Sequence, residues 1–215
     1  MIQILGNENS VFNEFIAEIR DEQIQSDRMR FRRNMERMGE IFAYEISKKM
    51  HYVTEEVTTS LGTAKVPRLA EQPVVATILR AGIPLHLGIL NYFDQADNAF
   101  ISAYRKHHKD GTFDVQVEYL ASPDLEDRIL ILCDPMLATG TSMVLTFNAL
   151  LKKGKPKHTH IVSLIASSEG LNYAKLHLPE NVSFWMGAVD EELTAQSYIV
   201  PGLGDAGDLA FGVKS

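Results

Sequence analysis

A run of five apolar residues, Ile129 to Cys133, closed by Asp134 and followed by Thr139-Gly140-Thr141-Ser142, constrains this chain more than any other stretch. An unbroken apolar run of that length suits a strand of a parallel sheet buried on both faces. Met143, Val144, Phe147, Leu150 and Leu151 then fall at helical spacing, so a helix is expected to begin at the hydroxyl-rich turn. Lys152 and Lys153 in its last turn, Gly154 just beyond and Pro156 after that are what helix C-termini prefer. Strand, tight turn and helix start together present unpaired N–H groups and a positive dipole end, a natural place for phosphate. Asp134 at the strand end is placed to accept hydrogen bonds from the two hydroxyls of a ribose. The Gly-x-x-x-x-Gly-Lys-Ser/Thr spacing of a nucleotide-triphosphate loop is absent. An ordinary capped turn uses the same residue types, so on these features alone a phosphate site and a plain turn stand level.

Other segments read as support for this one. Val11, Phe12, Phe15, Ile16 and Ile19 predict a short amphipathic helix, and Phe31, Met35, Met38, Ile41, Phe42 and Ile46 a longer one from about Asp27 to His51. Arg28, Arg30, Arg32, Arg33 and Arg37 share that second helix with Glu36, Glu40 and Glu45, the mixture of a solvated face. Val53 to Thr59 and Ala64 to Val66 predict a two-stranded excursion. Val74 to Leu79, Phe100 to Tyr104, Ile161 to Ala166 and Val182 to Ala188 predict core strands. Helices follow Arg80-Ala81-Gly82 and, capped by Ser167 or Ser168, run through His177. This alternation predicts right-handed βαβ units around a parallel sheet, an α/β fold flanked by helices. Asp110-Gly111 marks a hairpin between Phe100–Tyr104 and Phe113–Leu120. Its basic run, Arg105 to Lys109, is either a patch that closes over a polyanion or a solvated tip.

Length and composition bound the function. At 215 residues with 45% hydrophobic content, a single domain over 1–215 is expected, with its core at about 70–190 and a small hood from the N-terminal region and 191–215. No apolar stretch reaches membrane-spanning length, and the N-terminus lacks a signal peptide's basic-then-apolar order, so a cytoplasmic protein without membrane partners is expected. The net charge of -7 argues against general nucleic-acid binding, and any anion site must be local. Cys133, the single cysteine, reads as a small core residue. His158-x-His160 reads as surface, and neither it nor His107-His108 has metal-ligand spacing. Pro201-Gly202-Leu203-Gly204-Asp205-Ala206-Gly207-Asp208 is too glycine-rich for a regular helix or strand, and its composition predicts a backbone that something approaches closely.

Asp134-Pro135-Met136-Leu137-Ala138-Thr139-Gly140-Thr141-Ser142 resembles the phosphoribosyl pyrophosphate (PRPP) loop of the type I phosphoribosyltransferases, and most of all the uracil phosphoribosyltransferase version, Asp-Pro-Met-Leu-Ala-Thr-Gly-Gly-Ser. Ile78-Leu79-Arg80-Ala81-Gly82, Tyr104-Arg105 and Tyr198 to Asp208 match the same family in order, so the resemblance runs from about Arg28 to the C-terminus. It implies transfer of phosphoribose from PRPP to uracil in pyrimidine salvage. In that scheme Asp134 to Ser142 bind PRPP, Asp134 at the ribose and Thr139, Gly140, Thr141 and Ser142 at the 5′-phosphate, with Pro135, Met136, Leu137 and Ala138 completing the loop. Arg80 and Arg105 take the diphosphate, and the hairpin is a flap. Ile199, Gly204 and Ala206 read uracil through their main chain and Asp205 faces PRPP, which makes Asp205, Arg105 and Asp134 the catalytic group. The resemblance also implies Mg²⁺ held mainly by PRPP oxygens with no direct protein ligand set, a homo-oligomer, and the GTP effector found in some bacterial members. Thr141 departs from the family glycine. Two rivals are a pyrimidine regulator of this fold that binds RNA, and a phosphoribosyltransferase for another base.

Overall fold

A computed structural model describes residues 1–107 and 113–214, with side chains described outside 103–116. The elements are β1 (Ile2–Ile4), α1 (Val11–Arg20), α2 (Arg28–Ser47), β2 (Tyr52–Thr59), β3 (Gly62–Leu69), β4 (Val74–Leu79), α3 (Ile83–Leu90), β5 (Asp97–His107) and β6 (Phe113–Ala121). They continue with β7 (Ile129–Cys133), β8 (Met136–Leu137), α4 (Thr141–Leu150), β9 (His158–Ser167), α5 (Ser168–His177), β10 (Val182–Asp190), β11 (Glu192–Leu193), β12 (Ile199–Val200) and α6 (Ala206–Phe211). The central sheet has the order β1-β10-β9-β7-β4-β5-β6, with β8 also paired to β9. Its pairs are parallel except β5 with β6.

All five residues of β7 are buried, as an apolar strand covered on both faces must be. The two-residue period divides the strands between two cores. Val75, Ile131 and Cys133 pack with Phe31, Met35 and Phe42 of α2 and with Leu85 and Ile89 of α3. Val74, Ala76, Leu130 and Leu132 pack with Met143, Phe147 and Leu150 of α4 and Leu171 of α5. Cys133 belongs to the first core, where burial pushes its thiol up to about 12, so it is a packing residue and no nucleophile. Helices α2 and α3 approach backbone to backbone: a Cβ on Gly39 would meet the Leu85 carbonyl oxygen at 2.4 Å.

Several expectations are corrected. β1 was not expected, because three residues are too few to show a period; it completes the sheet edge by pairing Ile2 with Phe184 and Ile4 with Met186. Helix α2 stops at Ser47 instead of His51, where bonds from Lys49 to Ile46 and Met50 to Ser47 tighten the chain into turns. Its arginines are not a uniformly solvated face: Arg30 pairs with Glu18 of α1, and Arg32 donates to the Ala210 carbonyl at the end of α6. The glycine-rich C-terminal run does enter a helix, since Asp205 caps α6 by accepting from the Asp208 N–H at 2.9 Å.

His160 is a further correction. Strand β9 begins at His158, and His160 is buried at 3% exposure, accepting a hydrogen bond from Trp185 Nε1 at 3.0 Å. Burial first, then nearby His158, push its pKa from the usual 6.5 down to about 3. The unfolded ring takes its proton near pH 6.5 and the folded ring resists until about pH 3. The neutral ring's contribution is therefore complete above that range and lost as pH falls through it, at ~1.4 kcal/mol per pH unit. Urea unfolding of wild type and His160→Gln should show the wild type losing more stability between pH 7 and pH 5. Equal losses would mean that the ring is not held neutral.

Candidate active site

Strands β4 and β7 lie side by side and in parallel, with Thr77 opposite Cys133, so the loops after them leave the same sheet edge. Helix α3 after β4 packs into one core and α4 after β7 into the other. The crevice where adjacent strands send their helices to opposite faces is where open α/β sheets take ligands. Both helices start there without a side-chain cap, because Gly82 and Gly140 occupy their N-cap positions. Helices α1, α2, α5 and α6, by contrast, are capped by Ser10, Asp27, Ser167 and Asp205. Gly140 thus offers the first turn of α4 no side chain to compete with an external anion, although Thr139 Oγ1 accepts from the Thr141 N–H at 3.4 Å.

The loop from Asp134 to Gly140 is fixed from below. The Asp134 N–H donates to the Val162 carbonyl at 3.1 Å, and Ser163 Oγ donates to the Asp134 carbonyl at 2.5 Å. Pro135 is buried, its carbonyl accepting from Leu164 and Ile165 at 3.1 and 3.0 Å. Gly140 adopts φ +77°, and a Cβ on it would meet the Gly170 carbonyl oxygen of α5 at 2.5 Å. A Cβ on Gly170 would in turn meet the Ala138 carbonyl oxygen at 2.1 Å. Ser167 joins the two segments, donating to the Ala138 carbonyl at 2.5 Å and accepting from the Gly170 N–H at 2.8 Å. The phosphate-loop candidate therefore rests directly on the start of α5. Sequence reasoning offered Ser167 or Ser168 as the cap, and the structure makes it Ser167; the second bond, which joins residues 29 positions apart, was missed.

The facing wall is the C-terminal loop. Ser197, Tyr198, Ile199, Gly204, Asp205, Ala206 and Gly207 line one cleft with Asp134, Met136 to Gly140, Ser142, Met143 and Ala81. The loop is held from behind by Asp190, whose carboxylate accepts two bonds from the Arg20 fork, each 2.8 Å, and one from the Gly202 N–H at 2.9 Å. Burial alone would raise the Asp190 pKa; the bonds from Arg20 and Gly202 outweigh it and leave the carboxyl below its usual value.

Of the residues singled out in the sequence, Asp134, Met136, Leu137, Ala138, Thr139, Gly140, Ser142, Ile199, Gly204, Asp205 and Ala206 are brought together in this cleft. Pro135 lies beneath it, and Thr141 Oγ1 accepts a hydrogen bond from Thr139 Oγ1 at 3.2 Å. Arg80 is outside the lining: its Nη2 donates to Asp208 Oδ1 at 3.1 Å and to the Gly212 carbonyl at 3.2 Å, while its buried Nε has no partner. Arg105 has its backbone in β5 opposite Val115, but its side chain, with the hairpin turn and Lys109, lies outside the described residues. Residues of the β2–β3 hairpin are not among those lining the cleft, and α1 and α2 reach the C-terminal wall through Arg20 and Arg32. Tyr198, Ser197, Ala81, Met143 and Gly207 line the cleft without having been assigned to it. Tyr198, 50% exposed, stands in the matched C-terminal motif, the signal that could have found it.

The fold is that of a type I phosphoribosyltransferase. The adenine phosphoribosyl transferase of Trypanosoma brucei, solved in complex with AMP, pyrophosphate and ribose-5-phosphate, shares the fold with a TM-score of 0.58 at 12% identity, covering 91% of this chain and 87% of that one. A solved protein from Aquifex aeolicus superposes with a TM-score of 0.86 at 30% identity over 99% of each chain. The uracil phosphoribosyltransferase family model matches residues 7–213, and the uracil phosphoribosyltransferase of Porphyromonas gingivalis is 56% identical over 210 residues, 98% of this chain and 97% of its own length. The chain belongs to the uracil phosphoribosyltransferase family.

Proposed function

We propose that the protein joins N1 of uracil to C1 of the PRPP ribose, giving uridine monophosphate and releasing diphosphate. The observation that carries this reading, beside family membership, is the meeting of two unlike walls in one cleft: an acidic strand end with an uncapped helix start, and a main-chain-rich loop. The first suits ribose and 5′-phosphate, the second a flat base. The C1–N1 bond forms as the C1–O bond to diphosphate breaks, through an oxocarbenium-like state that needs no covalent enzyme intermediate, and the proton lost from N1 ends on the released diphosphate. The protein's task is to position both substrates and to neutralise charge on the leaving diphosphate. Asp134 takes the ribose hydroxyls, the Thr139 to Ser142 turn the 5′-phosphate, and Asp205 the PRPP side of the base pocket.

Arg80 must exchange Asp208 for diphosphate to serve as a ligand. That exchange is cheap: the Arg80 and Asp208 side chains are 38% and 30% exposed, and pairs of this kind are worth about 0–1 kcal/mol. Arg105→Ala should lower kcat/KM by roughly 10²-fold, as for lost charge stabilisation, and Lys109→Ala far less. Equal losses in steady-state assays would mean a diffuse basic patch instead of a specific ligand.

Asp134 and Asp205 give the cleft the hard oxygen donors that suit Mg²⁺. Mg²⁺ would be held mainly by PRPP oxygens and water; among the described residues no group of three or more His, Cys, Asp or Glu could hold a metal. When bound, Mg²⁺ would supply charge neutralisation on the diphosphate. A homo-oligomeric state, a GTP effector and a role in cytoplasmic pyrimidine salvage belong to the same reading. Mixing the protein with PRPP, Mg²⁺ and each free nucleobase tests it: uracil-dependent diphosphate release is expected. Release with a purine, or with none of the bases, would overturn it.

A further inference from the structure

The cleft's base-facing wall is a loop of backbone, and a loop of backbone needs something rigid to hold it. Gly202 lies at its centre, buried, at φ +58°, so close to Ile199 that a Cβ would meet the Ile199 carbonyl oxygen at 2.2 Å. Both sides of Gly202 are fastened. Its N–H donates to Asp190 Oδ2 at 2.9 Å, and its carbonyl accepts from Arg20 Nη1 at 2.9 Å. Arg20 and Asp190 are themselves joined by two 2.8 Å bonds, so three groups form one closed unit. Asp190 is 7% exposed and Arg20 22%, which leaves solvent little access to compete. With its amide nitrogen as donor, Gln25 extends the same support to the next residue, reaching the Leu203 carbonyl at 2.9 Å and the Ile19 carbonyl at 3.2 Å.

Neither Arg20 nor Asp190 lines the cleft, and neither stands in the motifs singled out from sequence. Their partners do matter there: Ile199 and Gly204, three residues before and two after Gly202, are cleft-lining. We propose that Arg20 and Asp190 are positioning residues for uracil recognition, setting the main-chain groups of Ile199 to Ala206 at the spacing the base requires. This rests on the assignment of that loop to uracil. A planar fork is what the unit needs, since one guanidinium grips both carboxylate oxygens and still reaches the Gly202 carbonyl. Lysine has one nitrogen and no fork.

The test is steady-state kinetics on the full chain with each substrate varied in turn, for Arg20→Gln, Asp190→Asn and Arg20→Lys. The KM for uracil should rise about tenfold or more in the first two and the KM for PRPP far less, because of the PRPP contacts only Asp205 stands in this loop while the Asp134 to Ser142 wall is fixed separately through β9 and α5. Arg20→Lys should lie between, restoring charge without the fork. A purely structural role would lower thermal stability and move both KM values together or neither, and either result overturns the proposal. Should Arg20→Gln not fold, Arg20→Lys decides, a uracil KM within twofold of wild type counting against the pair. Wild type that releases no diphosphate with uracil removes the functional reading and this proposal together. Active wild type with unchanged variants removes the proposal alone.

Discussion

Gly140→Val is expected to leave no PRPP binding measurable by calorimetric titration, and the reason lies behind the loop instead of in front of it. The sequence suggests that a side chain here crowds the approaching phosphate. In the structure the Cβ meets the Gly170 carbonyl oxygen at 2.5 Å and Tyr173 Cδ1 at 3.1 Å, so it drives the loop away from α5. The φ of +77° adds a cost of about 1–2 kcal/mol for any residue with a Cβ, and more for a β-branched one. A carbonyl oxygen at 2.5 Å forces the loop and α5 apart, and backbone donors moved with the loop no longer converge on one phosphate. Gly204→Ala is the matched control. It also has positive φ, +94°, but a Cβ there meets only Leu209 Cδ1 at 3.9 Å, so it carries strain without collision. Ser142→Ala, which removes one donor of several, should weaken PRPP binding only about fivefold. Undiminished affinity in a folded Gly140→Val would take the phosphate assignment away from this loop.

Discrimination between uracil and cytosine should reach about 10³ to 10⁵ in kcat/KM. Uracil offers two carbonyl acceptors around one N3–H donor, a pattern that main-chain N–H groups at Gly204 and Ala206 and a carbonyl at Ile199 can answer. Cytosine has an acceptor at N3 and an amino group at position 4, which would leave buried polar groups unpaired at about 1–3 kcal/mol each. Ile199→Val should alter the preference little, since the side chain does not read the base. Ala206→Pro is the sharper probe, and the structure makes it cleaner than the sequence suggests. Ala206 is the first residue of α6, a position whose backbone suits proline, and Asp205 before it is already extended at φ -91° and ψ 105°. The substitution therefore deletes an N–H without breaking the helix, and activity should collapse while the melting temperature holds. Competition assays decide: cytosine turned over within tenfold of uracil would end the pocket reading, even if PRPP binding stood.

Local pattern was enough to read the central strands of the sheet and the turn that follows β7. The apolar run of β7, the small turn residues and the stripe of α4 lie within one stretch, and a strand buried on both faces has no other way to appear in sequence. The glycines and aspartates of the C-terminal loop were equally visible, because a backbone that bends sharply must be built from them. What sequence could not decide was who holds whom. His158 and His160 read as surface because polar residues usually end strands, yet a tryptophan 25 positions away satisfies His160 inside the core. Arg20 reads as the charged end of a short helix, and only the folded chain carries it to Asp190, 170 positions on. Arg80 reads as a ligand in waiting but is docked on Asp208. Period and turn chemistry act over a few residues and so are written locally. Burial and ion pairing depend on which segments the sheet order brings together, and that was decided by tertiary structure alone.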